Sequence, residues 1–298
     1  MTASTRLSII IPHKDSWNSL SALLDTIPPA DDQEIILVDD RSATPAKGDG
    51  LNHPNLVFVN NDRQAIGAGS ARNYGLQHAT GDWLLFADSD DTFVPGAFDA
   101  VRKQMNSDCD IVFFRPTSVN EDNGQPSNRH TAYAALVEDF CSQPSQWIRF
   151  RFHPPWSKLI RRKLVTDNGI QFDETLVAND LIFSLKTGIH AKNIKAVPET
   201  IYCVTNNASG GLSNQKNREF FDIRFNNHIR YNRILKDNGF RKYQMSMLSM
   251  HRKALNLGVS KFISSIMKAI VYRQPFLNSG DFAKWDRNQR VKRRRICE

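Results

Sequence analysis

Cysteine is scarce in this sequence, and its four residues are widely separated, at Cys109, Cys141, Cys203 and Cys297. They show neither the close pairing of a zinc site nor the dense pattern of a disulfide-stabilised secreted domain. We therefore expect these thiols to be reduced, as they are in a protein that works in the cytoplasm.

Long apolar runs are absent as well. No stretch approaches the roughly 18 consecutive apolar residues that a membrane-spanning helix requires. The apolar run at residues 7–11 is too short for the core of a signal peptide and lacks a small-residue cleavage site after it. Both observations predict a cytoplasmic location. Hydrophobic residues still make up 40% of the 298 residues, which is enough for a sizeable core.

Acidic residues are rare in the last part of the chain. Residues 216–298 hold 20 of the 39 lysines and arginines but only 6 of the 31 aspartates and glutamates. This segment carries a net charge of +14, and the rest of the chain carries −6. Such a distribution predicts that the tail meets an anionic surface. Nucleic acid is the less favoured partner, because the charge lacks the interleaved aromatic residues of single-strand-binding proteins.

Strand and helix patterns alternate with short connections in the first part of the sequence. Short apolar runs predict strands, and they lie at residues 7–11, 34–38, 56–59, 83–87 and 110–114. Helices are predicted between them, at residues 17–27, 68–79 and 95–105. This alternation is typical of βαβ units and predicts an α/β fold with a doubly wound, mostly parallel sheet.

The regular alternation ends near residue 115. Residues 115–150 are less regular in pattern, and helical spacing returns after Asp180. From Lys216 onward the pattern is helical, with an amphipathic run at residues 259–271. We therefore predict one domain over residues 1–215 and a basic helical extension over residues 216–298.

Carboxylates follow two of the predicted strands. Asp39 and Asp40 end the second strand, and Asp88, Asp90 and Asp91 follow the central one. Ligands of open α/β sheets bind outside the carboxyl ends of the strands, so one crevice would collect both sets. Clustered carboxylates need water, hydrogen-bond donors or a cation to neutralise them, and a hard divalent cation takes oxygen ligands. The pattern indicates an Asp-x-Asp metal and nucleotide site, although a solvated acidic turn explains the triplet equally well when it is taken alone.

Two glycines, Gly67 and Gly69, resemble the start of a dinucleotide-binding loop. The position of the third glycine in that motif is occupied by Arg72, and the segment follows the third predicted strand instead of the first. We therefore do not expect a dinucleotide-binding fold.

A set of short segments, taken in order, resembles glycosyltransferase family 2. The first five are Ser8-Ile9-Ile10-Ile11-Pro12, Glu34-Ile35-Ile36-Leu37-Val38-Asp39-Asp40-Arg41-Ser42, Gly69-Ser70-Ala71-Arg72-Asn73-Tyr74-Gly75, Ala79-Thr80-Gly81-Asp82-Trp83 and Asp88-Ser89-Asp90-Asp91. Three more are Trp156-Ser157-Lys158-Leu159, Gly169-Ile170-Gln171-Phe172-Asp173-Glu174 and Asn179-Asp180-Leu181-Ile182-Phe183. The resemblance covers residues 7–213 and implies the GT-A fold, with a donor half over about residues 1–115 and an acceptor half over about residues 116–215.

The resemblance also implies a chemistry, which is transfer of a sugar from a nucleoside diphosphate donor with inversion at the anomeric carbon. It assigns donor contacts to five residues and the metal to one. Pro12 and Asp40 would hold the base, while Asp39 supports the loop. Arg72 and Ser89 would lie at the donor, and Asp88 would bind the ribose. Asp90 would hold a divalent cation, Mn²⁺ or Mg²⁺, at the two phosphates.

The same resemblance implies a catalytic base at Asp180. The family commonly has Glu-Asp at the start of this late helix, and this chain has Asn179-Asp180. The role of position 179 therefore stays open. A plain acidic residue at a helix N-terminus, favourable to the helix dipole, is the alternative for Asp180. Some relatives use a later histidine as a further metal ligand, and we find none convincingly placed after Asp180.

We expect, from the resemblance, a bacterial enzyme that adds a hexose or N-acetylhexosamine to lipopolysaccharide, capsule or a similar surface glycan. A UDP-sugar is the expected donor. The basic tail would lie on the anionic inner face of the cytoplasmic membrane, and this location favours an acceptor that is linked to lipid. The tail's apolar face could instead dock on the catalytic body. Two alternatives for the whole protein are a nucleotide-sugar-binding scaffold without turnover and a nucleotidyltransferase, for which His13 and Lys14 would have to bind a triphosphate.

Overall fold

The computed structural model of the protein describes residues 6–43, 51–65, 67–206 and 217–277. The chain divides into two compact units, Met1–Ser209 and Gly210–Glu298. The domain boundary expected from the sequence, at residue 215, falls outside the described residues and stays a prediction. The basic run at residues 290–295 also lies outside them.

An eight-stranded mixed sheet forms the centre of the first unit, with the strand order β3-β2-β1-β4-β7-β6-β8-β5 among the described residues. Its strands are β1 (Leu7–His13), β2 (Gln33–Asp39), β3 (Leu56–Asn60), β4 (Trp83–Phe86), β5 (Thr92–Phe93), β6 (Ile111–Asn120), β7 (Lys158–Arg161) and β8 (Ile194–Asn206). The helices described in this unit are α1 (Trp17–Asp25), α2 (Ala68–His78), α3 (Ala97–Gln104), α4 (Thr131–Ser142), α5 (Trp147–Arg151), α6 (Arg162–Asp167) and α7 (Leu181–His190).

Four parallel strands, β3, β2, β1 and β4, form the first half of the sheet. The apolar residues of β1, β2 and β4 are fully buried, which is what a parallel strand needs when both of its faces are covered. The register pairs His13 with Asp39 and Ile10 with Phe86. The chain therefore leaves β1, β2 and β4 at one edge of the sheet, where Asp40 and Asp88 follow.

The second half of the sheet is mixed. Strand β7 pairs antiparallel with both β4 and β6, β8 pairs parallel with β6, and β5 pairs antiparallel with β8. The sequence-based expectation of an α/β fold with parallel strands is confirmed for the first half, and four of the seven strand pairs formed by the described residues are parallel. Because β7 is antiparallel to β4, its first residue, Lys158, lies near the edge of the sheet at which β4 ends.

The segment predicted to be less regular contains ordered elements. Strand β6 continues to Asn120, and α4 follows with Ala134, Leu136 and Val137 buried. Strand β5 has two residues, too few to give an alternating pattern that a sequence could reveal. Both α4 and β5 depend on β8, which is distant in the chain, since α4 packs on β8 as well as on β6 and β5 pairs with β8.

The second unit is helical, as the sequence predicts. Its described elements are α8 (Arg218–Asp237), a short 3-10 helix (Arg241–Tyr243), α9 (Leu248–Leu255) and α10 (Val259–Val271). Asn217 begins α8, because its side chain accepts a hydrogen bond of 2.7 Å from the Phe220 N–H. The apolar core of this unit consists of Phe221, Phe225, Ile229, Met247, Met250 and Ala254.

Buried Asn232 connects three parts of this helical unit. Its amide binds both backbone polar groups of Met245, at 2.6 and 2.8 Å, and the side chain of Gln274 at 2.9 Å.

Among the described residues, no helix combines the length and the apolar character that crossing a bilayer would require.

Prediction for helix packing. Helix α2 rests so closely on β1 that a Cβ atom at Gly75 would lie 2.5 Å from Ile10 Cγ2. We expect Gly75→Ala to lower the free energy of unfolding by about 1–3 kcal/mol through overpacking, despite the better helix propensity of alanine. Urea denaturation measures the change. Gln77→Ala, at an exposed position of the same helix, is the control and should shift it by less than about 0.5 kcal/mol.

Candidate active site

The turn after β4 brings three carboxylates together. Asp88, Asp90 and Asp91 each offer an oxygen, and these oxygens lie within 4.8 Å of one another. The Asp91 N–H donates to the Asp88 carbonyl at 3.1 Å, which closes the turn. An all-oxygen set of this kind suits Mg²⁺ or Mn²⁺. The residues predicted to form an Asp-x-Asp site therefore fit a divalent cation, with Asp91 as an additional member.

The same cluster is electrostatically unfavourable without a positive partner. Desolvation, followed by repulsion from Asp88, raises the pKa of Asp90, although part of that residue is exposed. Desolvation and repulsion from both neighbours raise the pKa of buried Asp91 well above its ordinary value. A bound cation would stabilise the charged forms of both groups. The raised pKa values of Asp90 and Asp91 are therefore consistent with a site that binds a cation.

Tyr202, on β8, holds this turn in place. Its hydroxyl accepts a hydrogen bond of 2.8 Å from the Asp88 N–H and donates to the carboxylate of Asp91. The Thr205 N–H donates to the same carboxylate at 2.7 Å. Desolvation and the nearby acids raise the pKa of Tyr202 well above its ordinary value, so its hydroxyl stays a donor. Asp91 is thus engaged by the protein, and Asp88 and Asp90 are the more available oxygen ligands.

Arg72 lies on the buried side of α2 and connects two parts of the site. Its guanidinium forms an ion pair with Asp88 and donates to Asn179 Oδ1 at 2.9 Å. The same group lies 5.4 Å from the centroid of the Phe172 ring. Arg72 Nε is buried and has no hydrogen-bond partner among the described residues. The arginine therefore joins the acidic turn to the residue that precedes Asp180.

Asp180 lies immediately before α7, and its carbonyl accepts the Ser184 N–H at 3.0 Å. Desolvation raises the pKa of its carboxyl, and the negative charge of Asp88 adds to that shift. Arg72, the hydrogen bond from its own backbone N–H and Lys158 act in the opposite direction. Asp180 is therefore close enough to the acidic turn for the charge of Asp88 to act on it, and Arg72 acts on it with the opposite sign.

Asp40 is almost fully buried, and protein donors occupy both of its carboxylate oxygens. The Gly67 N–H donates to Oδ2 at 2.6 Å, and Asn61 Nδ2 donates to Oδ1 at 2.7 Å. Asp39 accepts hydrogen bonds from the Ser42 side chain and, at 3.2 Å, from its N–H. Pro12 is buried at the end of β1. The expected contact of Pro12 and Asp40 with a base stays a prediction.

Ser89 connects the acidic turn to the start of α1. Its hydroxyl lies 3.0 Å from that of Ser16, which lies 3.3 Å from His13 Nδ1. His13 is buried, and burial lowers its pKa against the raising effect of Asp39 and Asp15. The three side chains thus form a polar connection between β1, α1 and the turn after β4.

Several residues of this region carry no signal in the sequence. Tyr202 lies more than a hundred residues from the turn that it holds, and Asn61 follows a strand without a recognisable motif. Position 179, left open by the sequence, is occupied by an amide that accepts from Arg72. Trp156 is buried and stacks on Tyr202 with ring centroids 5.7 Å apart.

Comparison with known proteins identifies the family. The model of Glycosyl transferase family 2 matches residues 8–169. The poly(ribitol-phosphate) beta-glucosyltransferase of Bacillus spizizenii is 28% identical over 66% of this chain and 32% of its own length. The poly(ribitol-phosphate) beta-N-acetylglucosaminyltransferase TarS of Staphylococcus aureus is 27% identical over 66% of this chain and 35% of its own length. The chain thus spans about a third of the length of these two relatives.

Solved structures give the same result for the fold. The crystal structure of S. aureus TarS 1-349 in complex with UDP-GlcNAc matches with a TM-score of 0.65 at 20% identity, over 90% of this chain and 81% of that chain. The mannosyltransferase PcManGT from Pyrobaculum calidifontis, in complex with GDP-Man and Mn²⁺, matches with a TM-score of 0.54 at 16% identity, over 91% and 76%. The chain therefore has the GT-A fold and belongs to glycosyl transferase family 2.

Proposed function

We propose that this protein is an inverting, metal-dependent glycosyltransferase that moves a hexose or N-acetylhexosamine from a UDP-sugar to a hydroxyl of a bacterial surface glycan. The observation that carries the proposal is the pair of contacts made by Arg72. It binds Asp88 of the acidic turn and also Asn179, the residue before Asp180. One buried guanidinium thus lies between the candidate cation site and the segment that carries the proposed base, Asp180.

The donor side of the proposed reaction is the edge formed by β1, β2 and the turn after β4. Pro12 and Asp40 would adjoin the base, Asp88 the ribose, and Ser89 and Arg72 the remainder of the donor. Asp90 would hold the cation, Mn²⁺ or Mg²⁺, with Asp88 within reach. When bound, this cation supplies positive charge that neutralises the nucleoside diphosphate leaving group. The match to a TarS structure with UDP-GlcNAc supports a UDP-sugar donor.

Asp180 would take the proton from the acceptor hydroxyl as that oxygen attacks the anomeric carbon. Desolvation raises the pKa of this carboxyl, which makes its anion a stronger base than a solvated aspartate. Attack from the side opposite to the leaving diphosphate inverts the anomeric centre in a single displacement. Arg72 would orient Asp88 and, through Asn179, the start of α7.

The acceptor is proposed from the relatives. Two of them are named for transfer to poly(ribitol-phosphate), which supports a polymer with free hydroxyls as the acceptor class. Lipopolysaccharide, capsule and related glycans, including lipid-linked forms, belong to this class. The nucleotidyltransferase alternative has weaker support, since Lys14, the basic residue that follows β1, is exposed and lies beside acidic Asp15.

A surface of the helical unit supports a location on the inner face of the cytoplasmic membrane. Helix α10 buries Ser265 and Ala269 and packs Phe262 against the core of the helical unit, while Val259, Ile263, Met267 and Ile270 are exposed. The exposed set on and beside this helix is Leu255, Val259, Ile263, Met267, Ile270, Val271, Tyr272, Phe276 and Leu277. A helix that leaves most of its large apolar side chains exposed suits an apolar partner.

The charge of the helical unit supports an anionic bilayer as that partner. Residues 238–277 contain seven lysines and arginines and no acidic residue. Lys268 and Arg273 are exposed beside the apolar face. Each basic residue near an anionic leaflet contributes about 1 kcal/mol to binding, and an apolar face of this kind can lie in the interface. We propose that α10 rests on the membrane that carries a lipid-linked acceptor.

Prediction for the base. Asp180→Asn keeps the shape of the side chain but cannot accept the proton. We expect kcat to fall by about 10²–10⁴-fold while UDP binding is unchanged. The measurement is UDP release from a panel of UDP-glucose, UDP-galactose and UDP-N-acetylglucosamine with Mn²⁺, with acceptor glycan added. Asp167→Asn, at an exposed position, is the control. A parent protein that binds UDP but releases none from any donor would favour the scaffold alternative.

Prediction for the cation. Chelation with EDTA should abolish turnover, and Mn²⁺ or Mg²⁺ should restore it. Asp90→Asn removes one charged ligand, so we expect the Mn²⁺ concentration for half-maximal activity to rise about tenfold or more. Calorimetric titration of Mn²⁺ checks the same change without turnover. Asp82→Asn, an exposed carboxylate before β4, should leave both values unchanged. Equal Mn²⁺ affinity in the parent and Asp90→Asn would remove Asp90 from the cation site.

Prediction for the membrane surface. We expect the full chain to sediment with vesicles of phosphatidylcholine and phosphatidylglycerol, and much less with phosphatidylcholine alone. The triple change Ile263→Ser, Met267→Ser and Ile270→Ser should abolish sedimentation without lowering Tm, because these side chains are exposed. Deletion of residues 281–298 should weaken it. Leu176→Ser, an exposed apolar residue of the first unit, is the control. A triple variant that still sediments, or a parent that forms dimers through this face in ultracentrifugation, would contradict the proposal.

A further inference from the structure

Lys158 is a buried basic residue that has no role in the reaction proposed above. It is the first residue of β7, in the segment Trp156-Ser157-Lys158-Leu159, and it is 2% exposed. Lysine is almost never fully buried unless its charge is paired. The residue before it, Ser157, has a left-handed backbone conformation with φ of 54°, which is uncommon for serine and typical of functional segments.

The contacts of Lys158 are polar but contain no carboxylate. Its Nζ donates to the Phe152 carbonyl at 2.6 Å and to Ser184 Oγ at 3.0 Å. The hydroxyl of Ser184 in turn donates to the His153 carbonyl. The rings of Phe152 and Phe113 lie 5.2 and 5.7 Å from Nζ. Among the described residues, Lys158 forms no salt bridge, and its direct contacts are a carbonyl, a hydroxyl and two aromatic rings.

These contacts place Lys158 next to the first turn of α7. Ser184, which accepts from Nζ, lies one helical turn after Asp180, and its N–H donates to the Asp180 carbonyl at 3.0 Å. The Phe152 carbonyl anchors the other side of the ammonium group to the chain that leaves α5. Lys158 thereby fixes the start of α7 relative to the sheet, and the start of α7 carries Asp180.

Four charged or titratable groups act on Asp180 or respond to it. Arg72 of α2 and Lys158 of β7 favour its anion, and Asp88 of the acidic turn opposes it. Tyr133 of α4 stays protonated, since burial and the charge of Asp180 raise its pKa above the ordinary value. Burial lowers the pKa of Lys158 to about 7, against the raising effect of Asp180. Lys158 is therefore positively charged in the acidic range, where a carboxyl group such as Asp180 titrates.

We propose that Lys158 is a positioning residue for the glycosyl transfer, which holds Asp180 at the start of α7 and keeps its carboxylate ionised. This proposal rests on the proposed role of Asp180 as the base. It gives the Trp156-Ser157-Lys158-Leu159 segment a function that is electrostatic as well as structural. The cost of burying an ammonium group without an ion pair is offset by the negative charge that it supports.

The experiment compares Lys158→Met, Lys158→Gln, Lys158→Arg and Ser184→Ala in the full chain. The readouts are the pH profile of kcat/KM for UDP release, Tm, and the Asp180 carboxyl titration followed by NMR of protein labelled with ¹³C-aspartate. The Asp180→Asn variant assigns the signal. Methionine replaces the stem of lysine without its charge, and glutamine keeps one donor for the Phe152 carbonyl.

We expect Lys158→Met and Lys158→Gln to move two midpoints to higher pH by about one unit. These are the midpoint of the acid limb in the pH profile of kcat/KM and the midpoint of the Asp180 carboxyl titration. The sign follows because loss of a nearby positive charge destabilises the anion. At pH values below the midpoint of the acid limb, kcat/KM of these variants should be about tenfold lower than that of the parent. This difference in kcat/KM should become smaller as the pH rises. Lys158→Met should keep or raise Tm, since apolar replacement of a buried charge is often neutral or stabilising. Lys158→Arg should restore the parent limb.

Ser184→Ala separates the hydrogen bond from the charge. It keeps the ammonium group, so we expect a loss of kcat/KM that is the same at every pH, with the limb unmoved. If the methionine and glutamine variants show the same pH-independent loss, or leave the Asp180 titration where it is in the parent, Lys158 has a structural role only. The NMR titration needs no turnover, so it tests the effect of Lys158 on Asp180 independently of the proposed reaction. An active Asp180→Asn variant would overturn the role of Asp180 as the base. A titration of Asp180 that moves to higher pH in Lys158→Met would still support the electrostatic effect of Lys158 on this carboxyl.

Discussion

The ion pair between Arg72 and Asp88 is the constraint on which the site depends. Arg72 is almost fully buried, and a buried guanidinium that lost its carboxylate would leave an uncompensated charge in the interior. The second contact, to Asn179, uses the same group to hold the segment that leads into α7. A single side chain on α2 thereby sets the distance between the turn after β4 and the residue proposed as the base.

The packing around α2 is built to keep that arginine in place. A Cβ atom at Gly69 would lie 2.1 Å from the Asp173 carbonyl, so the helix can approach this segment only with glycine there. Asn73, one residue after Arg72, binds both backbone polar groups of Phe172, at 2.8 and 3.0 Å. Close approach and backbone hydrogen bonds thus fix the helix before any ligand arrives. The acidic turn is correspondingly held by Tyr202, so that mutual repulsion does not open it.

The first half of the sheet could be predicted from the sequence because buried parallel strands and short connections have a strong local pattern. Asp88, Asp90 and Asp180 could be selected as candidate site residues because they follow strands or open a helix within recognisable motifs. Tyr202 and Asn61 could not, since each acts through a contact made by distant parts of the chain. The same reason applies to the full hydrogen bonding of Asp40 and to β5, which exists only through its pairing with β8.

By itself, the sequence determined the α/β character of the first unit, the family and the position of the carboxylates at strand ends, because period and order along the chain carry that information. The tertiary structure decided the antiparallel course of β7, which buries Lys158 near the start of α7. It also decided which side of α10 is buried: the sequence shows an amphipathic helix, yet Ser265 and Ala269 pack inward with Phe262, while Ile263, Met267 and Ile270 are exposed. Periodicity reveals that a helix has two faces, and only the space left by its neighbours selects the one that fits against them.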